Sequence, residues 1–323
     1  MKKILSLVLI ALLVFSFTAC GDSAVPSETE TTSPVEESLQ TANVYTLKGP
    51  TGMGLAAMME NKNFSFTIAN APDQIVAAIS SGEADIASCP LNVAATLFKK
   101  TNGAVKLVTI NTLGVMYVLS SDESVQSFAD IAGKKVYATG RAATPEYILN
   151  YLLKGNDMTA ETEYLGDPTE VTALAASGEA GIIMLPEPNV STVMAKNKDL
   201  RIVADLTAEW EKISDTKLAQ SGIIVRTQYL ESNPKEVENF LKEYEKSVDF
   251  VNGNVSEAAA MIEKAEIVPS AAIAEKALPN CNIVFIKGEE MKQIAQGNLQ
   301  ILFDANKASV GGEMPSEEFY RVD

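Results

Sequence analysis

Five short stretches of the chain carry residues suited to holding a small molecule, and none carries residues suited to breaking a bond. Pro50, Thr51, Gly52 and Met53 form a turn in which glycine lets backbone approach a ligand and threonine offers a hydroxyl. A plain strand-to-helix turn has the same composition, and Met53 also suits a core. Cys89, Pro90, Leu91 and Asn92 precede a helical run, where Asn92 fits either ligand contact or helix capping. Thr112 and Gly114 fit a hinge or the floor of a cleft. Gly140, Arg141, Ala142 and Thr144 bring a lone cation that could pair with a carboxylate, sulfonate or phosphate, or face only solvent. Pro186 and Glu187 bring an acid that would accept from a ring amine, or serve as the surface acid of a rigid loop. The chain has no histidine, which removes imidazole acid–base chemistry, Ser–His triads and the usual zinc sites. Cys89 therefore has no base to make it a nucleophile. No GxxxxGK[ST] occurs, nor a GxGxxG after a strand, so nucleotide and dinucleotide sites have no support. No cofactor and no metal are expected.

The elements that position these stretches come in two similar sets. SGEADIASCPLNV begins at Ser81 and SGEAGIIMLPEPNV at Ser177, each after an apolar helical run and before another. The separation is too long for a solenoid repeat, so the duplication predicts two similar α/β lobes with a cleft between them. Strand and helix signals alternate from Val44 onward, which predicts βαβ units and two mostly parallel sheets. Gly114–Ser120 reads as a strand, and Ser221–Thr227 as the return crossing. Pro234 opens a helix with Val237, Phe240, Leu241, Tyr244, Val248 and Val251 on one face. The first lobe is placed at 44–119 plus 222–323 and the second at 120–221. The lone Trp210 is expected to pack at a lobe surface, and Tyr117, Tyr137 and Tyr147 in the core. In such sheets ligands sit beyond the strands' C-terminal ends, which puts loops 49–53, 89–92, 140–145 and 185–189 at the cleft. Several lead into helix N-termini, whose free N–H groups suit a small anion or a polar ring edge. Thr144 and Pro145 fit the cap and first position of one such helix.

The N-terminus reads as a processing signal. Lys2-Lys3 and the apolar stretch Ile4–Phe17 make a signal peptide over 1–19, too short for a confident membrane span. Phe17-Thr18-Ala19-Cys20 resembles a bacterial lipobox, with Cys20 lipidated. Residues 20–43 follow as an acidic, Ser/Thr/Pro-rich tether with a reach of roughly 25 Å. The globular part is thus expected on the outer face of a bacterial membrane. A net charge of −16 argues against nucleic acid as a partner. Cys89 and Cys281 could pair, but nothing in the sequence brings them together.

GPTGMG (49–54), SGEADIASCPLNVA (81–94), FADIAGKKVYATG (128–140), ATPEY (143–147), SGEAGIIMLPEP (177–188) and SGIIVR (221–226) together resemble the substrate-binding lipoproteins of ABC importers. The resemblance is to the branch that binds nitrate, sulfonates, taurine and thiamine precursors. It implies the type II periplasmic-binding-protein fold: two α/β lobes joined by two hinge strands and closing on ligand. It also implies a monomer that passes a small polar or anionic solute to a membrane permease driven by a separate ATPase. Glu187 matches an acidic position found near the cleft in this family. The second phrase departs from the first where Gly181 replaces Asp85. Two other functions share the fold: a sensory lipoprotein without transport, and an enzyme of the thiamine-pyrimidine synthase kind, which relies on histidine.

Overall fold

The computed structural model describes residues 41–323. The expected signal peptide, Cys20 and nearly all of the tether lie outside the described residues. The chain runs β1 (Ala42–Leu47), α1 (Pro50–Met53), β2 (Phe64–Ala69), α2 (Pro72–Ser81), β3 (Ile86–Pro90), α3 (Leu91–Lys100) and β4 (Val105–Leu113). It continues with β5 (Met116–Ser120), β6 (Lys135–Thr139), α4 (Thr144–Gly155), β7 (Glu161–Leu165), α5 (Pro168–Ser177), β8 (Ile182–Pro186), α6 (Asn189–Lys196), β9 (Arg201–Asp205) and α7 (Leu206–Glu211). It ends with β10 (Ala219–Arg226), α8 (Thr227–Ser232), α9 (Pro234–Gly253), α10 (Val255–Lys264), α11 (Ala271–Ala277), β11 (Ile283–Ile286) and α12 (Gly288–Ala305).

The strands form two sheets, ordered β11-β4-β10-β3-β1-β2 and β7-β6-β8-β5-β9. This is the expected two-lobed α/β fold. With β11 set aside, the two orders correspond strand for strand: β2-β1-β3-β10-β4 matches β7-β6-β8-β5-β9. The duplicated phrases therefore occupy the same place in each sheet, ending α2 and α5 and opening β3 and β8. Their glycines explain the shared wording: Gly82 and Gly178 end these helices at φ 80°, a left-handed conformation that favours glycine.

Two expectations need correction. The sheets are mixed rather than mostly parallel. β1, β2 and β3 pair in parallel, as do β6, β7 and β8, but β10 and β5 run antiparallel to their neighbours. β10 and β5 begin just after the chain has crossed from the other lobe, so they enter their sheets from the opposite direction. For the same reason the lobe boundary moves. β5, expected in the first lobe, pairs with β8 and β9 and belongs to the second; β10 starts at Ala219, and β1 already at Ala42.

Each sheet is covered by helices on both faces, and its inner strands alternate between two cores. On β8, Ile182 and Met184 join one apolar cluster and Ile183 and Leu185 the other. Trp210 is fully buried rather than at a lobe surface, with its indole N–H donating to the Thr216 carbonyl (2.6 Å).

Candidate functional site

The loops expected at the cleft follow the C-terminal ends of β1, β3, β6 and β8, equivalent positions in the two sheets. Loop 49–53 is braced from beneath. The Thr51 carbonyl accepts from Ser88 Oγ (2.8 Å) and Asn111 Nδ2 (3.0 Å). Asn111 Nδ2 also donates to Ser88 Oγ (2.6 Å), and its Oδ1 accepts from Ser221 Oγ (2.7 Å). Ser88, Asn111 and Ser221 are all buried and come from β3, β4 and β10, so three strands fix one loop. Sequence reading missed this network.

Several candidates in the first lobe are scaffold. A Cβ on Gly52 would lie 2.4 Å from the Leu47 carbonyl, so glycine is needed for packing on β1. Met53, Cys89 and Leu91 are at most 2% exposed and belong to apolar cores, so their side chains do not face a solute in this arrangement. Burial pushes the Cys89 thiol up to about 12, which keeps it protonated. Cys89 and Cys281 are both free thiols. Thr112 is buried, with its hydroxyl donating to the Pro50 carbonyl (3.4 Å). Pro50, Pro90 and Asn92 remain half-buried; Asn92 is the second residue of α3, inside the helix rather than at its cap.

Gly114 sits where the two crossings pack together. A Cβ there would lie 2.2 Å from Thr207 Oγ1 and 2.8 Å from Leu218 Cδ2. Asn282 donates to the Gly114 carbonyl (2.6 Å) and accepts from the Leu113 N–H (3.0 Å), tying the crossing to β11.

In the second lobe, Gly140 (φ 82°) and Ala142 (φ 56°) turn the chain into α4. Thr144 is the first residue of that helix; Ala143 occupies the cap position without a side-chain bond. Other groups do the capping: Glu146 accepts from the Ala142 N–H, and Tyr147 donates to the Ala142 carbonyl (2.9 Å). Arg141 is exposed, its guanidinium 5.9 Å from the Tyr164 ring centroid. Pro186 is half-buried, while Glu187 is 2% exposed. Glu187 accepts from the Ser191 N–H, the Ser191 hydroxyl and Asn280 Nδ2, each at 3.1 Å. Burial dominates these bonds and raises its carboxyl above the ordinary value.

The lobes touch through these loops. A Cβ on Gly49 would stand 3.9 Å from Pro188 Cδ, across the junction. Tyr147 packs into a first-lobe core, and its hydroxyl accepts from Asn306 Nδ2 (2.9 Å). The first-lobe loop after β1, the second-lobe loop after β8 and the first turn of α4 thus each meet the facing lobe. Among the described residues no cluster suits a metal ion, and no helix is long and apolar enough to cross a membrane.

A profile of the family described as menaquinone biosynthesis matches residues 45–278. The chain belongs to this menaquinone-biosynthesis family. No curated protein matches. Among solved structures, an ABC transporter protein from Parabacteroides distasonis is 22% identical, with a TM-score of 0.76 over 87% of this chain and 99% of that one. The periplasmic aliphatic sulphonate binding protein SsuA from Escherichia coli is 16% identical, with a TM-score of 0.68 over 87% and 92%. The periplasmic nitrate-binding protein NrtA from Synechocystis PCC 6803 is 14% identical, with a TM-score of 0.56 over 84% of each chain. This member of the family thus has the fold of ABC-importer binding proteins, as the sequence motifs imply.

Proposed function

We propose that the chain is an extracytoplasmic solute-binding lipoprotein, held at the outer face of the membrane by a lipid on Cys20. It captures a small polar or anionic organic solute between its lobes and delivers it to an ABC-type permease. The observation that supports this most is the pair of like-ordered sheets joined by two crossings, with the β1 and β8 loops and the first turn of α4 meeting across the junction. Arg141, Thr144, Asn92 and the backbone of Pro50–Thr51 are the groups we assign to the solute. Arg141 is exposed, and Asn92 and Thr144 are partly so, and all three lie at equivalent strand ends. Lobe closure by rigid-body motion would then sequester the solute.

A thermal-shift panel of nitrate, sulfonates, taurine, pyrimidines, flavins and amino acids tests this reading. A true ligand at a hundredfold excess over Kd stabilises the protein by about 2.7 kcal/mol. Silence across the panel would count against solute capture. Arg141→Ala should weaken an anionic ligand at least tenfold; unchanged affinity removes Arg141 from the site.

The family's description favours a second reading, an enzyme of a biosynthetic pathway. Mass spectrometry of each stabilising compound after incubation separates the two. Binding returns the compound intact, and an enzyme returns a product.

A further inference from the structure

Asn280 belongs to the first lobe, in the turn between α11 and β11, yet both of its polar ends are bonded to the second. Its backbone carbonyl accepts from the Tyr117 hydroxyl (2.8 Å), and its side-chain amide donates to Glu187 Oε1 (3.1 Å). Tyr117 and Glu187 stand on β5 and just after β8 and are 4% and 2% exposed. Beside them a cavity of about 310 Å³ runs between the lobes, lined by Glu187, Ser191 and Lys198 on one side and Lys276 and Asn280 on the other.

We propose that Asn280 is a positioning residue for lobe closure, latching the first lobe to Tyr117 and Glu187 and making closure proton-linked at Glu187. Donor and acceptor lie on different lobes, so separating the lobes at this point of the junction breaks both bonds. It also exposes one side of Glu187, because Asn280 Nδ2 shares Oε1 with the Ser191 hydroxyl, and only the Ser191 bond stays with the second lobe. A carboxyl whose burial outweighs its hydrogen bonds gives up its proton more readily once hydrated. The closed form therefore holds the proton more tightly than the open form. Lower pH favours closure, and closure weakens as pH rises through the raised carboxyl value. The groups facing Glu187 do not cancel this. Lys198, just past α6, has its ammonium on the Met194 carbonyl (3.1 Å), and Lys276 on α11 is exposed. Tyr117 on β5, Asp205 at the end of β9 and the buried Cys281 thiol add no cation.

The inference rests on the two-lobed solute-capture reading but is testable without a solute. Small-angle scattering of the ligand-free full chain, from mildly acidic to neutral pH, reads lobe separation as radius of gyration. The wild type should expand as pH rises. Asn280→Ala should be more expanded at acidic pH, and Glu187→Gln should lose the pH dependence. Because Asn280→Ala leaves the backbone carbonyl to Tyr117, the deciding variant adds Tyr117→Phe: a double variant as compact as wild type throughout, or a Glu187→Gln protein with the wild-type profile, overturns the latch. A lower melting temperature with an unmoved radius also overturns it, as the role would then be structural only. Should circular dichroism show Asn280→Ala unfolded, Tyr117→Phe, which deletes one hydroxyl, decides on the same criterion. An intact latch with no ligand found in the panel sinks only the solute reading, and the reverse outcome sinks only the latch.

Discussion

Ser81–Pro90 and Ser177–Glu187 fill equivalent positions in the two sheets, but each carries its buried acid at the opposite end of the strand. In the first copy the acid comes at the start. Asp85 Oδ1 accepts from Arg226 Nη2 (2.7 Å) and Oδ2 from the Asn43 N–H (3.0 Å), which ties β10 and β1 to β3 far from the cleft. In the second copy that position is Gly181, and the acid, Glu187, stands just past the strand's end at the lobe junction. The second lobe closes its corner differently. Arg201 donates to the carbonyls of Ser120, Asp122 and Val125 (3.2, 2.8 and 2.7 Å), and Ser120 Oγ to that of Gly181 (3.0 Å). A corner tied by neutral acceptors needs no carboxylate. One copy thus spends its acid on the scaffold, while the other places it where the lobes meet.

The sharpest way to break this contrast is Asp85→Ala. It removes the only carboxylate bonded to Arg226 among the described residues, leaving the guanidinium the Ala84 carbonyl and Gln228; the two side chains of the pair are 21% and 10% exposed. Removing one partner of a buried pair costs 3–5 kcal/mol, and the remaining exposure puts this pair at the low end, about 3 kcal/mol. Urea unfolding measures it. A loss under about 1 kcal/mol would mean the pair behaves like a surface ion pair and does not brace the lobe.

Glu187→Ala should cost less, about 2 kcal/mol, by leaving the Ser191 N–H and the Asn280 amide without their acceptor. Its pH dependence separates the copies further. A carboxyl raised in the folded state adds stability that is fully present below the ordinary glutamate value and is lost as pH rises through the raised one. Glu187→Gln should remove that slope, leaving denaturant midpoints flatter between acidic and neutral pH. A slope that survives the substitution assigns it to another group.

The sequence made the paired frame legible because its signals are local. The αL glycines, the helix-opening prolines and the apolar strands of each copy sit within one βα unit, and they fall where the phrases place them. What stayed hidden depends on partners far along the chain. Ser88, Asn111 and Ser221 look unremarkable in isolation and become a network only when three strands align. Met116–Ser120 is mostly apolar and buried throughout and suits either sheet, so only its pairing with β8 assigns it to the second lobe. Ile283–Ile286 is a four-residue edge strand that no pattern announces. Gly52 carries a constraint the sequence does not reveal: the Leu47 carbonyl alone forbids a side chain there, whatever the loop binds. Of the polar candidates, Arg141, Asn92 and Thr144 keep surface in the folded chain, while Glu187 turned out to be held by Ser191 and Asn280.

The smallest effect tests the contrast from the other side. Gly181→Asp writes the first copy's acid into the second. A Cβ at Gly181 meets nothing within 4 Å, and its φ lies outside the left-handed region, so neither clash nor backbone strain opposes the change. The nearest counterpart of Arg226 is Arg201, but its guanidinium already serves three carbonyls. The new carboxylate would have to displace those bonds to gain a partner, and an ion pair on that rim returns no more than it removes. Stability should therefore stay within about 0.5 kcal/mol of wild type. A gain above about 1 kcal/mol in urea would show that Arg201 is underused where it stands. The two corners would then be alternative versions of one device, not two different solutions to closing the same strand end.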